Sequence, residues 1–300
     1  MTTSLGPDAE PAVVDADTGA VDSPLPALET VDVGALLAAD GRRTRRERIL
    51  HIVAPVVGVV GFLGLWEALV AIFDVRRFVL PAPWAIVRHI ASDPSFYISN
   101  ARVTIWEAFL GFSIAAVLAM IAATIMAHSR FIERAALPLA VIIQVTPIIA
   151  YAPAVVVWLG FGLKPILVIT SMVCFVPFLI NAIAGLRSVD PNLLELARSV
   201  DARKRVIFWK LRFPSSLPHL FSAARIAVGL ALIGAVLGEF FAGTTEGLGY
   251  AVKTAQARPI QLLEQLWGSI FVLGFIGAVA TSLIAAVERV ALRWHQSNRP

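Results

Sequence analysis

Two groups of residues in this 300-residue chain carry polar groups in places where they must have work to do, and neither forms a reaction centre. The first is a scatter of polar side chains inside apolar runs: Gln144, Thr146, Tyr151, Asn181 and Glu239, with Glu67 and Glu107 beside them. Ionisable and strongly polar groups are costly in hydrocarbon and face an interior or a water-filled cavity. These residues are therefore candidates for lining the route of a solute. The second group is the basic, amphipathic stretch Asp190–Pro214, DPNLLELARSVDARKRVIFWKLRFP. Asp190 suits a helix N-cap, and Pro191 suits the first helical position, where a missing N–H costs nothing. Leu193, Leu194, Ala197 and Val200 recur at helical spacing on one face, with Glu195 and Arg198 on the polar flank. A short helix cannot bury such a face in itself, so it needs a partner surface or lies on lipid headgroups.

Patterns for covalent or hydrolytic chemistry are missing. The chain has no G-x-x-x-x-G-K-[ST] phosphate loop. His51, His89, His128, His219 and His295 stand near the ends of apolar runs without metal-ligand spacing. The single cysteine, Cys174, sits inside an apolar run and reads as a small buried hydrophobe. No ATP hydrolysis, bound cofactor or metal is expected of this chain itself.

The elements that position these residues are membrane spans. The chain is 58% hydrophobic with mean hydropathy +0.78, against roughly 45–50% apolar residues in soluble domains. Ile52–Phe73, Ala101–Ala127, Leu217–Phe241 and Leu266–Val287 each reach the length of about 20 residues that crosses a bilayer. Ala135–Ala184, interrupted from Gly160 to Pro165, suits two more. The expectation is an all-α polytopic membrane protein with six transmembrane helices. Residues 1–40 differ in kind: eight acidic residues, no Lys or Arg, and four prolines. They read as a disordered tail rather than a signal peptide. The expected organisation is an acidic cytoplasmic tail ending in a basic run over 1–48, a first span with an outer interfacial segment over 49–96, the main membrane domain over 97–288, and a cytoplasmic tail over 289–300.

Positive charge sets the orientation, because it is retained on the cytoplasmic side during insertion. The run Arg42, Arg43, Arg45, Arg46 and Arg48 precedes the first span. With both termini inside, 18 Lys and Arg fall on the cytoplasmic side and 7 outside. That places Asp190–Pro214 in the cytoplasm of a cell-membrane protein. The same bias, with anionic headgroups, accounts for a pI near 9.6 without nucleic acid. Outside, Pro81 and Pro83 force an extended entry into a short interfacial helix over Trp84–Ile90.

Two prolines, Pro147 and Pro153, lie close to Gln144, Thr146 and Tyr151. Proline removes a backbone donor and disturbs the carbonyl four residues earlier, which is tolerated where protein or a water-filled cavity satisfies the freed group. The segment is either a pathway-lining helix or a kinked structural one. Glu239 lies in GAVLGEFFAG, where small residues admit close helix approach, and it is either a pathway group or an interfacial carboxylate. Gly111, Gly229, Gly234 and Gly238 read as helix-packing positions.

Asp190–Pro214 resembles the cytoplasmic loop of importer permeases of ATP-binding-cassette (ABC) transporters, written E-A-A, three residues, G, nine residues, I, one residue, L-P. Glu195, Leu196, Ala197, Asp201, Leu211, Phe213 and Pro214 fall on that spacing. Leu196 replaces an Ala, Asp201 the Gly and Phe213 the Leu; Asp tolerates the left-handed conformation that the Gly position takes better than most residues do. The L-P-x-P stretch at Leu80–Pro83, with GAVLGEFF and IFWKLRFP, is similar to permeases for sulfonate, nitrate, taurine, thiamine precursors and riboflavin. The resemblance implies a type I importer permease fold over 97–288, with 190–214 as coupling loop. Glu195, Leu196, Ala197, Asp201 and Pro214 would then contact a separate ABC ATPase subunit that uses the ATP. It also implies an extracytoplasmic solute-binding protein, a second permease copy in a homodimer, and a small organic solute as cargo. The alternative is a membrane-embedded enzyme or channel that uses the cytoplasmic helix as an anchor.

Overall fold

The computed structural model describes residues 53–292 apart from 55, 77 and 78. The acidic tail, the Arg42–Arg48 run, His51, the first residues of the first span and the 293–300 tail lie outside the described residues. The chain forms two compact units, Met1–Gly61 and Phe62–Pro300. In the first, the described residues are helical. Helix α1, Val56–Ile72, continues into the second.

Among the described residues every regular element is helical. After α1 come α2 (Pro83–Ser92), α3 (Pro94–His128), α4 (Arg130–Val145), α5 (Ile148–Leu159), α6 (Leu163–Arg187), α7 (Pro191–Ser199), α8 (Lys204–Ile207), α9 (Phe213–Phe241), α10 (Leu248–Ala257) and α11 (Pro259–Ala291). The expected interfacial helix is α2, entered through a buried Pro81. Its first turn is held by Glu67, whose Oε2 accepts the Trp84 N–H at 3.1 Å.

The core is α6 packed between α3 and α9. Each outer helix presents small residues at intervals of three or four: Ala108, Gly111, Ala115, Ala119 and Ala123 on α3, and Ala223, Ala227, Ala231, Gly234 and Gly238 on α9. Without a hydrophobic force between helices in lipid, such surfaces gain van der Waals contact by letting backbones approach. A Cβ built on Gly234 would lie 2.7 Å from Thr170 Cα, and one on Gly238 would lie 2.8 Å from Ile166 Cα. Gly229 meets nothing within 4 Å, so the packing role expected of all four glycines fails there.

Among the described residues, four helices are long and apolar enough to cross a bilayer: α3, α6, the continuous Lys204–Phe241 and α11. The expected third span is broken instead. α4 and α5 meet at an angle of 101° across Thr146-Pro147, as one broken span or a re-entrant pair. Thr146 before the proline takes an extended backbone, φ −68° and ψ 123°. Pro153, in contrast, stays inside α5. Among the described residues the structure gives four whole spans, or five with the bent pair, where the sequence predicts six; the start of the first expected span lies outside them.

The Asp190–Pro214 stretch is also not one loop. Lys204–Phe241 runs as one helix, with a π-helical turn over Phe208–Arg212 joining α8 to α9. Pro214 lacks a donor and sits in the first turn of α9. The separate element is therefore shorter, α7 and the turn that follows it.

Candidate functional site

Helix α7 stands between two long helices, α6 and Lys204–Phe241. Asp190 caps it as expected: its carboxylate accepts the Asn192 N–H at 2.8 Å, with Pro191 in the first turn. The far end closes on Asp201, whose φ of +49° lies in the left-handed region. The Asp201 N–H donates to the Arg198 carbonyl at 2.9 Å, and the Ala202 N–H to the Ala197 carbonyl at 2.9 Å. This pair of bonds is a Schellman ending, usually built with Gly at the left-handed position. Asp fills it here.

The uncovered apolar face differs from the one read off the sequence. Leu193, Leu196 and Val200 are 49%, 62% and 70% exposed, whereas Leu194 and Ala197 are half-buried. Glu195 is exposed on the same short helix. At the base, Arg187 donates to both carboxylate oxygens of Glu133 at 2.7 and 2.5 Å, tying the end of α6 to α4. Arg225 of α9 pairs with Glu288 of α11.

At the opposite end of α9 lies a buried polar cluster that holds α10. A helix leaves its first N–H groups without intrahelical partners, and here each of four finds a side chain. Gly247 N–H donates to Asn100 Oδ1 at 2.8 Å, and Leu248 N–H to Thr104 Oγ1 at 2.8 Å. Gly249 and Tyr250 N–H donate to Glu239 Oε2 at 2.5 and 3.2 Å. The Thr104 hydroxyl donates to Glu239 Oε1 at 2.6 Å. Glu107, nearly one turn further along α3 than Thr104, is buried with its Oε2 left without a hydrogen-bond partner. A carboxylate at a helix N-terminus also meets the favourable end of the helix dipole. Gly247 has φ +107°, and any Cβ there would collide with the Glu239 carboxylate.

This geometry corrects one expectation. Glu239 is 0% exposed and its oxygens are spent on Thr104 and on α10, so it lines no open passage in this structure. The other pathway candidates are dispersed. Gln144 and Thr146 are exposed at the α4–α5 bend, and the Thr146 hydroxyl donates back to the Ile142 carbonyl at 2.8 Å. Tyr151 is half-buried against the small cluster of Ala152, Val155 and Ile169. Asn181, half-buried on α6, donates to the Pro177 carbonyl at 2.8 Å. The sequence reading missed a polar cavity of about 670 Å³ at the α10 end, lined by Ser99, Asn100, Arg102, Glu246 and Tyr250 among others. It also missed Asn100 and Thr104, although Asn100, Thr104 and Glu107 recur at i, i+4 and i+7, one polar stripe on an apolar helix.

Long apolar helices packed through small residues, with a capped amphipathic helix between two of them, define a multi-pass membrane protein. Residues 115–295 match the binding-protein-dependent transport system inner membrane component family. The chain belongs to that family and is an ABC transporter permease. It is 30% identical over 256 residues to the formylaminopyrimidine transport permease protein ThiX of Halalkalibacterium halodurans, covering 83% of this chain and 99% of that one. It is 30% identical over 237 residues to the riboflavin transport system permease protein RibX of Chloroflexus aurantiacus, covering 78% and 87%. A putative aliphatic sulfonates transport permease protein, SsuC of Bacillus subtilis, is 26% identical over 239 residues, covering 78% and 85%.

Proposed function

We propose that this permease carries a small organic solute inward and that α7 couples it to a separate ATPase subunit. The observation behind the coupling role is the form of α7: fixed at both ends by its own caps, yet exposing Leu193, Leu196 and Val200. Such a helix is rigid enough to transmit a movement and apolar enough to need a partner. Glu195, Leu196, Ala197 and Asp201 belong to this element, and Pro214 marks where the following span takes over. The sequence carries no G-x-x-x-x-G-K-[ST] phosphate loop. In this reading ATP binding closes two ATPase subunits, each moves its coupling helix, and the spans shift between inward-open and outward-open.

The assembly that follows has two permease copies, two ATPases and an external solute-binding protein. Six spans with both termini in the cytoplasm complete the reading, α1 and the α4–α5 pair supplying two. Gln144, Thr146, Tyr151 and Asn181 remain the pathway candidates, with the polar cavity beside α10 as the mouth away from α7. A heterocycle of the thiamine-precursor or riboflavin kind is the first choice of cargo, because the relatives bearing those names are 30% identical against 26% for the sulfonate permease. Coexpression with an ATPase subunit and assay of hydrolysis in nanodiscs tests the coupling. The chain alone should be inactive and the complex active. Robust hydrolysis by the chain alone, or failure of any ATPase to copurify, would overturn the reading.

A further inference from the structure

Beneath α7, between it and the start of the next long helix, lies a cavity of about 500 Å³. Arg198, Arg203, Lys204 and Arg212 line it, with His128 from the end of α3 and Asp201 as the one acidic neighbour. Among the described residues the ion pairs are Arg187–Glu133 and Arg225–Glu288, so none of the four cations has a carboxylate partner there. His128 Nδ1 donates to the Thr124 carbonyl at 2.7 Å. Four positive charges facing one concavity repel each other unless an anion sits among them. Arg pairs with phosphate through two parallel N–H bonds, and Lys adds a compact charge.

We propose that this cavity binds a phosphate-bearing anion that bridges α7, through Arg198, to the following helix, through Arg203, Lys204 and Arg212. The ligand chemistry is a phosphate ester or diphosphate, presented either by an anionic lipid headgroup or by a free polyphosphate. The proposal stands whether or not α7 docks on an ATPase.

The test uses the full-length chain without an ATPase. One arm titrates inorganic pyrophosphate into protein in phosphatidylcholine nanodiscs. The other measures by native mass spectrometry whether phosphatidylglycerol is retained from mixed nanodiscs. The free-anion source predicts saturable pyrophosphate binding; the lipid source predicts selective retention of phosphatidylglycerol. In either arm R203Q and K204Q should weaken binding about tenfold, as expected when a charge-assisted hydrogen bond is lost. R205Q removes the same charge from a residue outside the lining and should change nothing. R203K, which keeps the charge, guards against misfolding and should retain part of the affinity. No binding in either arm, or equal loss in R205Q and R203Q, would overturn the proposal.

Discussion

Replacing Gly238 with Ala asks whether the contact between α6 and α9 is set by backbone approach. The added Cβ would lie 2.8 Å from Ile166 Cα, 2.9 Å from its Cγ2 and 3.0 Å from its Cβ. Carbon atoms in contact prefer about 3.5–4.0 Å, so the helices must part by several tenths of an ångström or more. Two of the three obstructing atoms sit on or next to the backbone, and no rotamer change clears them. Overpacking of this kind costs about 1–3 kcal/mol. Ala also favours a helix over Gly by about 1 kcal/mol, which partly offsets the clash. Gly229→Ala cancels that uncertainty, because Gly229 lies in the same helix and its Cβ would meet nothing within 4 Å. The difference between the two variants isolates the clash, and Gly238→Ala should come out less stable than Gly229→Ala by about 1–3 kcal/mol. SDS titration of the purified full-length protein in micelles, followed by circular dichroism, measures it. Equal midpoints for the two variants would show that α9 yields without cost and that the small-residue face does not fix the packing.

Other perturbations address the site. Glu195→Lys should lower solute uptake and ATPase stimulation while leaving membrane content unchanged, since the side chain is exposed on α7; uptake and copurification assays read both, and wild-type uptake would refute its docking role. Asp201→Val should destabilise the end of α7, because a β-branched side chain in the left-handed region costs about 1–2 kcal/mol, whereas Asp201→Gly should restore the usual ending; hydrogen exchange at the Ala202 amide, bonded to Ala197 at 2.9 Å, distinguishes them. Glu239→Leu strips acceptors from the Gly249 and Tyr250 amides, each loss costing about 1–3 kcal/mol. Faster exchange at those two amides than in Glu239→Gln is the expected outcome, and equal protection in both variants would remove Glu239 from the anchoring role.

Much of the architecture was legible because bilayer physics leaves strong marks. Long apolar runs fixed α3, α6, α9 and α11, and the Asp-Pro pair at 190–191 fixed the start of α7 to the residue. The left-handed Asp201 was legible too, through the spacing that puts a Gly there in similar loops. What the sequence did not show is the bend at Thr146-Pro147. Hydropathy is blind to direction, so a run of adequate length reads as a straight span even when proline turns it by 101°. The uncovered face of α7 was shifted for a related reason. Periodicity groups Leu193, Leu194, Ala197 and Val200 but does not say which side the body of the protein covers, and α7 turns Leu194 and Ala197 inward.

Glu239 shows most clearly what a single sequence hides. An acidic residue in a span signals a polar environment, and the sequence cannot distinguish water from protein as its source. Here the environment is protein: two backbone amides of α10 and one hydroxyl of α3. The partners lie 135 residues away in the case of Thr104, and 10 and 11 residues away across a glycine turn in the case of the amides. The first separation is far beyond local range, and the second crosses the break between α9 and α10, so no helical pattern connects them. Yet the constraint is strict. Gly247 stands at φ +107°, where a side chain is strained and a Cβ would push the Glu239 carboxylate off its partners, and Asn100 must reach the Gly247 amide at the same time. The polar stripe on α3, the acid on α9 and the glycine before α10 form one device that seats a short helix on two spans. Its place beside the polar cavity, at the end of α9 away from α7, means that anything moving α3 against α9 must carry α10 along or break these bonds.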